Sequence, residues 1–222
     1  VRNAFIAKGH DAMSCDLLPT DAPGPHYQGD VFDVVDYPWD LMIAHPPCTY
    51  MTNAGVTWLH KDPSRWDKLD EGAAFFKALW DAPIKRIAIE NPVMHKYAKE
   101  RIGGMQQTQT IQPYQFGHLE QKATCLWLKG LMPLRPTTDL KAETKALPDN
   151  QRQRLHVAFA HLFQHVFQLG SLLACQLHIA ELALAEQRDL TRLAFLSHYH
   201  GMITRIRGAG QTEHHYRNRR SG

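Results

Sequence analysis

The sequence predicts an α/β protein built on an open, mostly parallel sheet. Three observations predict it. Short apolar runs end in proline-containing loops, a helical-period segment lies between two of them, and polar residues with chemical potential stand directly after the runs, where ligands gather in such sheets. With 222 residues, 44% of them hydrophobic and 21% charged, the chain can bury one sizeable core with an appendage. That excludes a disordered or collagen-like chain and is too short for two full domains.

The elements follow in order. Val1 to Lys8 reads as the end of a helix stopped by Gly9, and His10 to Cys15 runs into a short strand closed by Asp16. Residues 18–25, with Pro19, Pro23, Gly24 and Pro25, have the chemistry of a loop. Asp40 to Ala44 is an apolar run entering Pro46-Pro47, and Ile84 to Glu90 is another entering Pro92, both in keeping with buried parallel strands. Between them Ser64 can cap a helix in which Trp66, Leu69, Ala73, Phe76, Leu79 and Trp80 follow helical spacing. His95 to Ile102 reads as a short helix ended by Gly103-Gly104, and Thr108 to Pro113 and Ala123 to Leu128 as two further strands.

Composition divides the chain near residue 150. All 13 Pro, 5 Trp and 11 Lys precede residue 151, whereas 8 of the 14 His follow it; residues 151–222 hold 9 Arg against 4 acidic residues. The expectation is an α/β domain over 1–150 and an atypical, His- and Arg-rich tail over 151–222. The tail's Leu, Ala and Phe recur at helical intervals from about 155 to 196, so it is expected to be largely helical and poorly matched to the body, with an Arg-rich end at 205–220. His161 and His165 have metal-binding spacing, but without a third ligand nearby no metal site is expected. The most apolar stretch, 157–185, is broken by His161, Gln164, His165, Gln168, Gln176, His178 and Glu181, which argues against a transmembrane span. Four cysteines without a Cys-x-x-Cys pair, and a first segment without the pattern of a secretory signal, point to a reducing, cytoplasmic setting. Without an initiator Met, the chain is expected to start inside its gene.

The residues just after each apolar run carry the functional reading. Asp16, at a strand end, can accept hydrogen bonds from ribose hydroxyls, and Asp30, in Gly29-Asp30-Val31, can receive an adenine amino group or cap a turn. Cys48 follows two prolines that fix the backbone as it leaves a buried strand, which presents a thiol rigidly at the edge of the sheet. Glu90 ends an otherwise apolar strand, where an unpaired carboxylate is costly, so it needs a partner. Two such residues on neighbouring strand ends suggest a nucleophile and an acid, although a structural cysteine is the ordinary alternative.

Pro47-Cys48, Glu90-Asn91-Pro92, and Phe116-Gly117 followed by Lys122-Ala123-Thr124 resemble, in order, three motifs of DNA cytosine-C5 methyltransferases: Pro-Cys, Glu-Asn-Val and Tyr-Gly-x-Pro-Gln-x-Arg-x-Arg. The fuller strings His45-Pro-Pro-Cys-Thr-Tyr50 and Ile89-Glu-Asn-Pro-Val-Met-His95 are similar to those of small phage and prophage DNA-methylase-like proteins. The resemblance spans about residues 1–154. It implies a Rossmann-like methyltransferase fold, S-adenosylmethionine as cofactor and DNA as substrate. Cys48 would add as thiolate to C6 of a cytosine extruded from the base stack, and Glu90 would hold N3 and N4. Asp16, Asp30, His45 and Pro46 would border the cofactor, while Pro47, Thr49, Asn53, Asn91, Pro92, Lys122 and Thr124 would line the base pocket.

The chain also departs from that family. Its Gly-rich cofactor loop and first strand are expected before Val1, so the sheet is expected to lack that strand. Lys122 and Thr124 stand where the family has two arginines, and Thr124 cannot supply a guanidinium contact. Two other classes therefore remain open. His45-Pro46-Pro47-Cys48 resembles a variant of the Asp/Asn/Ser-Pro-Pro-aromatic motif of amino-group (N4-cytosine or N6-adenine) DNA methyltransferases, in which Cys48 is dispensable. A non-catalytic nucleic-acid-binding remnant is the third.

Overall fold

The computed structural model describes residues 1–148, residue 151 and Arg192–Ser197. The chain opens with helix α1 (Arg2–Ile6), and Gly9 at φ 87° makes the left-handed turn that a side chain would strain, so the backbone enters strand β1 (Asp11–Asp16) directly. The proline-rich loop that follows is folded back by Arg2. Its buried guanidinium donates to Ser14 Oγ (2.8 Å) and to the carbonyls of Ala22 (2.8 Å), Pro23 (2.8 Å) and Pro25 (3.1 Å). That clamp aligns strand β2 (His26–Gln28) beside β1, a strand too short to leave an apolar pattern in the sequence.

Strand β3 (Leu41–His45), helices α2 (Val56–Leu59) and α3 (Ser64–Trp80), strand β4 (Arg86–Pro92) and helix α4 (Lys96–Arg101) form the middle of the chain. Ser64 is not the cap of α3 but its first residue. Pro63 already has helical φ, and Asp62 Oδ1 reaches forward to accept the Ser64 N–H (3.0 Å) and hydroxyl (2.7 Å). Helix α4 ends as expected, with Gly103 and Gly104 at φ 81° and 73°. Strands β5 (Gln109–Ile111) and β6 (Thr124–Lys129) complete this part, followed by helix α5 (Lys141–Ala146).

The largest difference from the sequence expectation is strand β7 (Arg192–Ser197). These six residues are a strand rather than a helix, and they lie parallel between β1 and β3: Ala194 pairs with Met13 on one side and Met42 on the other. The sheet order is β2-β1-β7-β3-β4-β6-β5. No gap remains between β1 and β3, and for these residues the compositional boundary near 150 is not a boundary of the sheet. The physical reason lies in the run Leu193-Ala194-Phe195-Leu196: a short continuous apolar stretch suits a strand as well as it suits a helix, and periodicity cannot separate the two. The remaining helical expectation over 155–191, the His161/His165 pair and the Arg-rich segment 205–220 lie outside the described residues.

The fold is thus mixed α/β, with β2, β1, β7, β3 and β4 parallel and β6 antiparallel to both β4 and β5. Alternate strand residues enter two cores. Met42, Ala44, Ile87, Ile89 and Trp127 meet Leu69, Ala73, Phe76 and Leu79 of α3 on one face; Leu41, Ile43, Ala88 and Leu126 meet Phe5 of α1, Phe116 and Leu134 on the other. Phe76 stands edge-on to Trp127, with ring centroids 5.1 Å apart. Among the described residues no helix is long and apolar enough to cross a membrane.

Candidate active site

Because five neighbouring strands are parallel, their carboxyl ends share one edge of the sheet. The chain leaves β1 outward to β2 and later runs from β3 outward to β4, so the direction of winding reverses across β7, the place where open sheets form a crevice. Asp16 ends β1, His45 ends β3 and Glu90-Asn91-Pro92 ends β4, while Asp30 and Cys48 follow two and three residues after β2 and β3. Strand β6 runs the other way, and Thr124 pairs with Pro92, so the segment just before it, carrying Glu120 and Lys122, meets the same edge.

His45 and Glu90 are the joined pair. Ala44 is in register with Ile89, and one residue further on His45 Nδ1 lies 3.2 Å from Glu90 Oε2. Glu90 is only 6% exposed, so the imidazole answers the need of a buried carboxylate for a partner. Nδ1 and Oε2 are thus hydrogen-bonded partners.

Cys48 is half-buried beside this pair. Burial is the main reason its thiol pKa is raised; the negative charge of Glu90 adds to the shift, while Lys122 and the cysteine's own backbone N–H pull the other way. Lys122 is itself pushed down by burial and held up by Glu90, Glu120 and Cys48. Cys48, Glu90, Glu120 and Lys122 thus form one electrostatic cluster, in which Lys122 favours the Cys48 thiolate and Glu90 opposes it.

The two strings around these residues are fastened to each other. Asn91 Nδ2 donates to the Pro46 carbonyl (3.2 Å), Asn53 N–H to the Val93 carbonyl (3.2 Å) and His95 N–H to the Met51 carbonyl (3.1 Å). His95 Nε2 lies 2.9 Å from the Tyr50 carbonyl, and Thr52 bridges Met94. Within the turn the Cys48 carbonyl accepts N–H groups from Met51 (3.0 Å) and Thr52 (3.2 Å). Residues 46–53 are therefore a buttressed turn whose framework is supplied by residues 91–95.

The other expected site residues divide by position. Pro46 is buried, Pro47 and Pro92 are partly buried, and Thr124 is buried with its hydroxyl donating to the Lys122 carbonyl (3.3 Å). Thr49 and Asn53 are exposed, and what holds Asn53 to β4 is its backbone. Asp16, at the end of β1, lies across β7 from His45, roughly 10 Å away at two strand spacings, and Asp30 follows β2, one strand further out. Each uses one carboxylate oxygen locally: Asp16 Oδ1 accepts the Leu18 N–H and Asp30 Oδ1 the Phe32 N–H, both at 3.0 Å. The turn-capping role of Asp30 is thus present, and the second oxygen of each half-buried group takes no hydrogen bond among the described residues.

Two contributors were not legible as site residues. Glu120 is a buried acid whose charge acts on Lys122, and its only signal was its place two residues upstream. His95 was read as the start of a helix, and its place in the string after Glu90 gave no sign of the bond to Tyr50. Comparison with protein-family models, with curated proteins and with solved structures gave no match.

Proposed function

We propose that this chain is a DNA methyltransferase-like protein using S-adenosylmethionine, with cytosine C5 as the methylated atom and Cys48 as nucleophile. The observation that carries the reading is the convergence of Cys48, the His45–Glu90 pair and Lys122 at the carboxyl ends of adjoining strands, within a turn fastened by residues 91–95. A structural cysteine needs neither a cation nor a buttressed turn. The sheet supports the finer assignment to a Rossmann-like fold through its parallel centre and its reversal across β7.

The residues at the cofactor's expected place fit it. Asp16 and Asp30 are half-buried acids at neighbouring strand ends, each with one carboxylate oxygen left to accept from ribose hydroxyls or an adenine amino group. S-adenosylmethionine, when bound, supplies an electrophilic methyl group. Lys122 favours the Cys48 thiolate, whose sulfur adds to C6 of an extruded cytosine and moves ring electrons toward C5 and N3. Glu90 in its acid form, with Oε2 accepting from His45 Nδ1–H, would donate from its other carboxyl oxygen to N3, where the charge develops. After methyl transfer the N3 proton returns to Glu90 and the C5 proton passes to solvent water, so the C5=C6 bond re-forms as the Cys48–C6 bond breaks and returns the thiolate.

Calorimetric titration of the chain with S-adenosylmethionine tests this reading. Saturable binding weakened by Asp16→Ala is expected; heats identical to buffer would leave the non-catalytic reading in its place. Methylation of DNA that persists in Cys48→Ala would instead assign the amino-group reaction.

A further inference from the structure

His95 lies outside the charge cluster, yet both of its ring nitrogens are committed. Nδ1 is 3.0 Å from the backbone N–H of Ala98, which can only donate, so Nδ1 carries no proton. Nε2 is 2.9 Å from the Tyr50 carbonyl, which can only accept, so Nε2 carries the proton. The chemistry of the partners fixes one neutral tautomer. Burial agrees with it, since the ring is 3% exposed and desolvation lowers its pKa.

One nitrogen therefore caps helix α4, and the other reaches across to the turn that begins at Cys48. We infer that His95 is a positioning residue: its Nε2–H holds the Tyr50 carbonyl and thereby fixes the Cys48 turn, while its Nδ1 anchors the ring to α4. Tyr50 sits between Cys48 and Met51, and the Met51 carbonyl is bound by the His95 backbone N–H, so a single residue grips the turn at two successive carbonyls. Tyr97, with its ring centroid 5.8 Å from that of His95, meets the imidazole edge-on. The catalytic meaning of the inference rests on the proposed role of Cys48; the mechanical link does not.

Two substitutions separate the two nitrogens. In His95→Asn, Oδ1 can take the place of Nδ1 and keep the cap, but nothing reaches Tyr50. In His95→Gln, the amide NH2 falls near the place of Nε2 and keeps the donor, while the cap is lost. The readout is the alkylation rate of Cys48 by iodoacetamide in the full chain, followed by mass spectrometry of the Cys48 peptide, with Tm recorded in parallel. Each variant loses one buried hydrogen bond, so both should melt at lower temperature. His95→Asn should label about fivefold faster than the parent, the opening that one buried hydrogen bond holds back, and His95→Gln should stay within about twofold of it.

Labelling unchanged or slowed in His95→Asn, or accelerated as much in His95→Gln, would overturn the inference. Should His95→Asn fail to fold, His95→Gln decides alone: parent-like labelling supports the donor to Tyr50, and fast labelling removes it. Because no step of the test needs methyl transfer, labelling that follows this pattern in a chain that never methylates DNA would sink the proposed reaction and leave the positioning role standing.

Discussion

Asn91→Asp perturbs the frame of the site with almost no change of shape. Asn91 is 1% exposed, and its Nδ2 donates to the Pro46 carbonyl at 3.2 Å, the contact that ties β4 to the peptide leading into Cys48. An ionised Asp would set an acceptor against that carbonyl and bury a charge without a partner. The hydrogen bond alone contributes about 1 kcal/mol; the uncompensated charge brings the loss to about 3–5 kcal/mol at neutral pH. Protonation reverses it, because a carboxyl O–H can donate to the Pro46 carbonyl again. The acid's pKa is therefore raised in the folded state, and the sign of the pH dependence follows. Below the ordinary Asp value of about 3.9 both states are protonated and the deficit is smallest. It then grows by about 1.4 kcal/mol per pH unit as the unfolded chain ionises, and levels off above the raised folded-state value. Urea unfolding of parent and variant from pH 4.5 to 7.5 measures this directly. A deficit independent of pH, or below about 1 kcal/mol at pH 7, would refute the placement of Asn91 against Pro46.

Glu90→Gln should move the pH profile of Cys48 alkylation to lower pH, because it removes a charge that raises the thiol's pKa, and Lys122→Met should move it to higher pH by removing one that lowers it. On the acidic limb each pH unit of movement is about a tenfold change in rate, and shifts in the opposite directions would contradict the cluster. Ala194→Pro removes a backbone N–H from a strand paired on both sides and should cost about 3 kcal/mol or more. A chain melting at the parent's temperature after that substitution would show that β7 does not occupy the centre of the sheet.

Much of the body was legible because its signals are local. The apolar runs before Pro46 and Pro92 are strands, Gly9 and Gly103-Gly104 end helices at positive φ, and the periodic residues Leu69, Ala73, Phe76 and Leu79 face the sheet. The joining of the two strings was legible only as adjacency in a motif: that Glu90 needed a partner followed from burial, but that His45 supplies it depends on the β3–β4 register. The links that fasten the Cys48 turn run mostly through backbone carbonyls, which have no residue-type signal, so His95 was hidden as a helix cap. Strand β7 was missed for a different reason: four consecutive apolar residues carry no period, and pairing with β1 and β3 reaches across more than 140 residues of chain.

Trapping of a covalent adduct tests the central claim most directly. A duplex containing 5-fluorocytosine, incubated with the chain and S-adenosylmethionine, blocks the final loss from C5 and leaves the enzyme bonded to C6. The account predicts an adduct that survives denaturation and maps by mass to Cys48, is absent in Cys48→Ser and forms markedly more slowly in Glu90→Gln. A chain that binds S-adenosylmethionine and methylates DNA yet gives no adduct, or gives one at another residue, would contradict it.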